Sequence, residues 1–529
     1  MNQKAPRPIV QIPREYNSAT HFIDRHLEEG RGPKTAFIDK DGSHSYAALA
    51  ERTNRAGNAL RELGADMEQR VMLCLHDTVD FPALFWGAIK TGAVPVPVNT
   101  LLTGDDYNYM LRDSRARILV VSAPLFDKFA PHLDGQPFLD GVVIAGGEAP
   151  NRSRLDDLLE RASPHLSATS TTRDDTAFWL YTSGSTGPPK AVVHRQSDLV
   201  QTAELYGNGV LGIREDDVVY SVAKLFFAYG LGNAMTFPLH VGATAALLAE
   251  RPTPEAVLNI MKDHQVTIFC GVPTLYGAIL ESKTSGRKSG SESLRLCASA
   301  GEALPEEIGK EWEKRFETPI LDGLGNTEML HIFLSNRADD VRYGTSGKPV
   351  PGYDLRVVDE QDNDVPVGEI GELVISGPSS ASAYWNQRDK SLNTFQGRWT
   401  RSGDKYFVDE EGYYHYCGRA DDMLKVSGIW VSPFEVESAL IAEDRVLEAA
   451  VIGAADGHGL VKPKAYVVLK EGVKATDTLA DELKAFVKER LAPYKYPRWI
   501  EFMDELPKTA TGKIQRFKLR DPDACARQG

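Results

Sequence analysis

The chain has 529 residues, 42% of them hydrophobic and 25% charged, with 60 Lys and Arg against 74 Asp and Glu for a net charge of −14. That length exceeds what one hydrophobic core covers, so two or more domains are expected. The acidic balance argues against a nucleic-acid binder, which presents a basic face.

Five cysteines (Cys74, Cys270, Cys297, Cys417, Cys525) are scattered and form no CxxC. Neither a disulfide framework nor a structural zinc site is expected, and a reducing cytoplasm fits. Met1 to Glu15 holds no apolar run long enough for a secretion signal. Phe81 to Val98 is the longest apolar region, but Lys90, Gly92 and two prolines break it, so no membrane span is expected.

In chain order, Tyr46, Leu49, Ala50, Thr53, Ala56, Leu60 and Leu63 follow helical spacing up to a stop at Gly64. Arg70–His76 reads as a buried strand, Phe81–Ile89 as a helix and Ala93–Val98 as a further strand. This βα alternation, which recurs from Asp216 to Leu321, predicts a sheet covered by helices. From Gly344 to Tyr416 short runs (Leu355–Asp359, Glu372–Ser376, Tyr413–Tyr416) alternate with turn residues and predict a small β-rich subdomain. Beyond Gly418 a compact α/β unit is expected. Ser432-Pro-Phe-Glu435 reads as a capping box opening a helix to Ile441, Ala449–Ile452 and Ala465–Leu469 as strands, and Leu479–Leu491 as a helix stopped by Pro493. The predicted architecture is α/β: an N-terminal domain over 1–418 with its β-rich part at 344–418, a hinge at 419–423, and a C-terminal domain over 424–529.

Three segments carry chemistry. In Tyr181-Thr-Ser-Gly-Ser-Thr-Gly-Pro-Pro-Lys190, Gly184 and Gly187 reach backbone conformations closed to other residues. Exposed N–H groups, the hydroxyls of Ser183, Ser185 and Thr186, and Lys190 could then cradle phosphate. The spacing is not that of a Walker A loop, and strand-like flanks (Thr176–Thr182, Ala191–His194) leave an ordinary hairpin turn equally open. Pro507-Lys-Thr-Ala-Thr-Gly-Lys513-Ile-Gln-Arg516 sets a lysine after a Thr-Gly turn, where a solvated cation is the plainer reading. Gly418-Arg-Ala-Asp-Asp-Met-Leu-Lys-Val-Ser-Gly428 falls where the domain character changes and reads as a linker.

Together, in this order, these segments resemble the adenylate-forming superfamily of acyl-CoA synthetases, adenylation domains and luciferases, from about Tyr46 to Arg520. The resemblance implies ATP, Mg²⁺ and CoA as cofactor and co-substrates. It assigns catalysis to Lys513, Thr182 and Glu328, with Glu328 as metal ligand. ATP contacts fall to Ser183–Gly187, Lys190, Gly301, Glu302, Ala303, Asp322, Gly323, Thr327, Asp404 and Arg419. Without the resemblance, Glu328 and Asp404 would pass for surface carboxylates. Two positions depart from the family pattern: Gly323 stands where an aromatic residue is common, and Ala191 where glycine follows the loop lysine. The hinge maps to Asp421, and Lys425, Gly428, Ile429 and Trp430 to a tunnel for the pantetheine of CoA.

Lys224-Leu-Phe-Phe-Ala-Tyr-Gly-Leu-Gly232 and Glu328-Met-Leu-His-Ile-Phe333 resemble benzoate-CoA ligases, as does Leu491-Ala-Pro-Tyr-Lys-Tyr-Pro497. They imply an acyl slot of Phe227, Ala228, Tyr229, Ala300, Gly325 and His331, shaped for one aromatic ring. Core packing is the alternative for the aromatic cluster, and a satisfied buried histidine for His331. Benzoate, 4-hydroxybenzoate and 2-aminobenzoate all stay open as the aromatic carboxylic acid. A carrier protein as acyl acceptor, luciferase-type oxidation and a non-catalytic binder are the competing readings. No nucleic-acid or membrane partner is expected, and a homodimer stays open.

Overall fold

The computed structural model describes residues 10–182, 188–282, 285–420, 422–426, 429–456, 460–492, 494–508 and 514–520. The first long helix is Tyr46–Glu62. Ser45 caps it by accepting a hydrogen bond from the Ala48 N–H, and its apolar stripe, including Leu49, Ala56 and Leu60, is buried. Gly64 at φ +89° ends it, as the helical spacing predicts. The helix crosses Asp80–Lys90 at Gly57, where an added Cβ would lie 2.9 Å from the Gly87 carbonyl oxygen. The apolar region Phe81–Val98 is therefore a buried helix followed by the strand Val94–Pro97. Among the described residues no helix is long and apolar enough to cross a membrane.

Two sheets of parallel strands form the body of the N-terminal part. The first runs Lys348–Pro349, Ile332–Ser335, Ile320–Gly325, Leu296–Ser299, Ile268–Gly271, Val218–Ser221, Thr244–Ala246, Thr35–Asp39, Gly42–Ser45, and is parallel from Ile320–Gly325 to Thr35–Asp39. The second runs Val94–Pro97, Arg70–Cys74, Ile118–Ser122, Gly141–Ala145, Ser153–Arg154, all parallel. One apolar cluster joins the sheets through residues such as Leu73, Phe85, Val219 and Leu321. Parallel strands place their carboxyl ends on a common edge, and ligand-binding loops gather there.

A third, antiparallel sheet carries Thr176–Thr182 against Lys190–Arg195, with Ala383–Tyr384 on the far side of Lys190–Arg195. The β-rich unit expected after Gly344 is present as Asp354–Val358, Gly371–Ser376, Phe395–Gln396, Trp399–Val408 and Tyr414–Arg419. The C-terminal part sets Val446–Ala455 antiparallel to Val461–Leu469, with Trp499–Phe502 parallel to the latter. Its helices Pro433–Ile441 and Asp477–Arg490 close a separate core that includes Val436, Leu440, Val467 and Leu483.

The capping box at Ser432 forms on one side only. Ser432 Oγ accepts from the Glu435 N–H at 3.1 Å, but both Glu435 carboxylate oxygens accept from Lys495 Nζ at 2.6 Å. A full charge captures that carboxylate instead of the backbone N–H of the box. Pro493, the expected helix stop, lies outside the described residues.

Candidate active site

Thr182 and Lys190 face each other across the antiparallel pair, so residues 183–187 connect two adjacent strands. Ser183, Gly184, Ser185, Thr186 and Gly187 themselves lie outside the described residues, as do Asp421, Gly428 and Lys513. Lys190 Nζ sits 4.3 Å from the centre of the Tyr384 ring. The Tyr384 hydroxyl donates to Glu328 Oε1 at 2.7 Å. Burial lowers the pKa of Lys190, with Glu328 opposing that shift and Lys390 and Arg419 adding to it. Cation, phenol and carboxylate thus meet at one point, carried there by three separate strands or turns. Tyr384 is a residue the sequence reading missed.

Glu328 belongs to the turn that follows Ile320–Gly325. Its carbonyl accepts from the Ala381 N–H at 2.8 Å, and the Met329 N–H donates to Asn326 Oδ1 at 2.8 Å. His194 Nε2 donates to the Thr327 carbonyl at 2.7 Å, and His194 Nδ1 lies 3.1 Å from Asp198 Oδ2. Leu330 has φ +67°, an uncommon conformation for a branched residue, at the end of this turn. The segment that presents Thr327 and Glu328 is therefore fastened through its backbone.

The strands Leu296–Ser299 and Ile320–Gly325 end side by side, with Ser299 opposite Asp322. Ala300 is buried, Gly301 is exposed at φ +98°, and Glu302 and Ala303 are half-buried. Asp322 is 4% exposed and its Oδ2 accepts from the Leu304 N–H at 3.3 Å. Burial pushes its carboxyl pKa up to about 8, against the pull of the Leu304 N–H, Ser299 and the Gly323 N–H. Gly323 is buried in the ladder with Ser335, where a Cβ would lie 2.9 Å from the Leu334 carbonyl oxygen. Asp404 and Arg419 form a cross-strand pair, Arg419 Nη1 lying 3.0 Å from Asp404 Oδ1. Asp404 is 5% exposed, so it is not the surface carboxylate that composition alone suggests.

Phe227 closes the loop that follows Val218–Ser221, and Ala228 begins the short helix Ala228–Leu231, which passes into a π-helical turn at Gly232–Thr236. Phe227, Ala228 and Tyr229 are half-buried and rest on the main core. His331 is 3% exposed, enclosed by Phe237, Tyr206 and Tyr229 at ring-centre distances of 4.5, 5.2 and 5.6 Å. A Cβ on Gly232 would meet its ring at 2.4 Å, and one on Gly325 would meet its backbone at 2.7 Å. Burial lowers the His331 pKa to about 3, so the ring is neutral at neutral pH. Its Nε2 lies 3.3 Å from the Tyr229 carbonyl oxygen, which can only accept, so Nε2 carries the proton. Among the described residues Nδ1 has no hydrogen-bond partner, and neither has the Tyr229 hydroxyl. Buried polar atoms left open in this way point to a bound water or a ligand.

Lys425 and Trp430 pair across the hairpin of Leu424–Val426 and Ile429–Val431. An isolated bridge between Lys508 and Ile514 joins the two ends of the segment that contains Lys513. Groups of three or more His, Cys, Asp or Glu able to hold a metal ion are absent among the described residues.

Two parallel sheets with a small C-terminal α/β unit thus carry a Lys190–Tyr384–Glu328 cluster next to the turn that follows Ile320–Gly325. The AMP-binding enzyme model matches residues 24–385, and the model for the C-terminal domain of AMP-binding enzymes matches 435–513. The chain belongs to the AMP-binding enzyme family. It is 60% identical to the benzoate–CoA ligase of Thauera aromatica, covering 97% of each chain. It is 51% identical to the 4-hydroxybenzoate–CoA/benzoate–CoA ligase of Rhodopseudomonas palustris, covering 96% of this chain and 94% of that one. Among solved structures, an anthranilate CoA ligase in complex with anthranoyl-AMP superposes with a TM-score of 0.94 at 42% identity, over 98% of this chain and 99% of that one.

Proposed function

We propose that this protein is an ATP-dependent aryl-CoA ligase that converts benzoate, ATP and CoA into benzoyl-CoA, AMP and pyrophosphate through benzoyl-adenylate. The observation that carries the reading is the half-buried Phe227-Ala228-Tyr229 loop, backed by a neutral, caged His331 and set beside the ends of the Ser299 and Asp322 strands. Aromatic walls with one small residue suit a single ring and exclude a long alkyl chain.

A free carboxylate is a poor acyl donor because oxide is a poor leaving group. In the first step a benzoate oxygen attacks the α-phosphorus of ATP, a new P–O bond forms, and the bond to the β-phosphate breaks to release pyrophosphate. An anion approaches a polyanion here, so fixed cations and N–H donors lower the barrier. Lys513 bridges the carboxylate and the α-phosphate or ribose, Lys190 and loop 183–187 hold the β- and γ-phosphates, and Asp404 with Arg419 takes the ribose hydroxyls. Glu328, oriented by Tyr384, would hold Mg²⁺, which supplies charge neutralisation on the phosphates. In the second step the CoA thiol gives its proton to solvent and its sulfur attacks the acyl carbon. The C–S bond forms, the C–O bond breaks, and AMP leaves. Rotation of the C-terminal part about Asp421 exchanges Lys513 for the Lys425–Trp430 hairpin at the acyl carbon. Buried free thiols at Cys74, Cys270, Cys297 and Cys417 suit the reducing cytoplasm.

A second reading, a hydroxy- or aminobenzoate as the preferred acid, is favoured by His331 Nδ1, which has no hydrogen-bond partner among the described residues and can accept from a ring hydroxyl or amine. The adenylate is tested by benzoate-dependent exchange of labelled pyrophosphate into ATP without CoA. Exchange is expected in the wild type and lost in Lys513→Ala, which should still convert preformed benzoyl-adenylate to the thioester. No benzoate-dependent exchange in the wild type would overturn the reading.

A further inference from the structure

Asp77 lies just beyond the carboxyl end of the strand Arg70–Cys74 and is 3% exposed. Its oxygens accept from one backbone donor, the Leu225 N–H, at 3.2 and 3.4 Å across 148 residues of sequence. Leu225 is the second residue before Phe227. The loop that carries the acyl slot is thus tied to the second parallel sheet, while its own strand belongs to the first.

Both sides of this tie are anchored. On the Asp77 side, the His76 N–H donates to Ser122 Oγ at 3.0 Å and the Val79 N–H to Asp39 Oδ2 at 2.9 Å. On the Leu225 side, Lys224 Nζ donates to the Leu248 carbonyl and to the Glu250 carbonyl, the latter at 2.7 Å. The Phe227 N–H returns to the Lys224 carbonyl at 3.0 Å. The loop is wound so closely that a Cβ on Gly230 would lie 2.1 Å from the Lys224 carbonyl oxygen and 2.3 Å from that of Ala223. A displacement at Leu225 has no slack in which to dissipate and is passed to Phe227 and Ala228.

A carboxylate in such a place is costly. Burial raises the Asp77 pKa to about 6, and Lys224 and the Leu225 N–H oppose the shift. A neutral side chain would avoid that cost, so the group's use lies in what it holds.

We propose that Asp77 is a positioning residue for the acyl slot, fixing the Leu225 backbone and through it the placement of Phe227, Ala228 and Tyr229 around the substrate ring. The inference rests on the reading of Phe227–Tyr229 as the slot. It predicts a defect confined to the acid and spared by a residue that still accepts from the Leu225 N–H.

The test compares Asp77→Leu and Asp77→Asn in the full-length enzyme, with KM for benzoate, ATP and CoA measured separately. Asp77→Leu should raise KM for benzoate by about tenfold, the scale of a lost hydrogen bond to a charged group, with KM for ATP and CoA within about twofold. Asp77→Asn, which keeps an acceptor oxygen, should stay within about threefold for all three. If Asp77→Leu does not fold, Asp77→Ser, whose hydroxyl is one atom shorter, takes its place with the same expectation. An unchanged KM for benzoate, or a parallel rise for all three substrates, overturns the proposal. Ala228→Phe serves as control. If it leaves KM for benzoate unchanged, the slot reading fails; if it raises that KM while Asp77→Leu does not, only the role of Asp77 fails.

Discussion

Tyr384 shows how one hydroxyl can organise a charged site. Its hydroxyl donates to Glu328 Oε1 while its ring lies under Lys190. Tyr384→Phe keeps the ring and removes the donor. Loss of a hydrogen bond to a charged group is worth about 1.5–3 kcal/mol, so kcat/KM for ATP in the adenylation step should fall by about ten- to a hundredfold. Benzoate affinity should hold. An unchanged kcat/KM for ATP would show that Glu328 needs no orientation by Tyr384. Asp322 makes a second prediction at this scale. Its folded pKa of about 8 stands above the ordinary value of 3.8. Below about pH 4 the carboxyl is protonated in both states and has no effect. Between pH 4 and 8 the unfolded chain ionises it while the folded chain keeps the proton, so stability falls as pH rises through that window. Asp322→Asn, which still accepts from the Leu304 N–H, should lose part of this slope in urea unfolding of the ligand-free enzyme at pH 5.5 and 8. Equal slopes in variant and wild type would place the carboxyl in an ionised state at pH 7.

At the scale of elements, the helical spacing over Tyr46–Leu63 and the apolar runs at Arg70–His76 and Ala93–Val98 foretell real helices and strands, because those patterns are local and the faces they bury are continuous. The π-helical turn at Gly232–Thr236 carries no such mark. It depends on Gly232 yielding space to His331, about a hundred residues on. The partners of Glu328 and of the Leu225 N–H were equally illegible, since Tyr384 lies 56 residues and Asp77 148 residues away in sequence. Motif spacing names residues within a loop, whereas sheet pairing decides which loops meet. Gly232→Ala tests the turn. Its Cβ would lie 2.4 Å from the His331 ring, in a cage with no room to retreat. Overpacking of this kind costs about 1–3 kcal/mol. We expect a lower thermal midpoint together with a raised KM for benzoate. A variant with wild-type midpoint and KM would show that the turn can open freely.

Across the whole molecule, two parallel sheets, an antiparallel three-stranded sheet and the β-rich unit bring the strand ends together, and the C-terminal part builds its own core. A body with a separate core can turn as a unit, as the proposed mechanism requires: carboxylate attack on phosphorus with Lys513 present, then thiol attack on the acyl carbon with that lysine withdrawn. In the proposed reading the acid is selected by the half-buried Phe227, Ala228 and Tyr229, and the neutral His331 packed against Tyr229 bears on the ring substituent. The most direct measurement is thioester formation from a panel of acids (benzoate, 4-hydroxybenzoate, 2-aminobenzoate, cyclohexanecarboxylate and hexanoate) with ATP, Mg²⁺ and CoA, products identified by mass. Benzoate or one of its hydroxy or amino derivatives should lead, each product requiring CoA and appearing with one AMP. Turnover led by hexanoate, or AMP release that never yields a CoA thioester, would contradict the account.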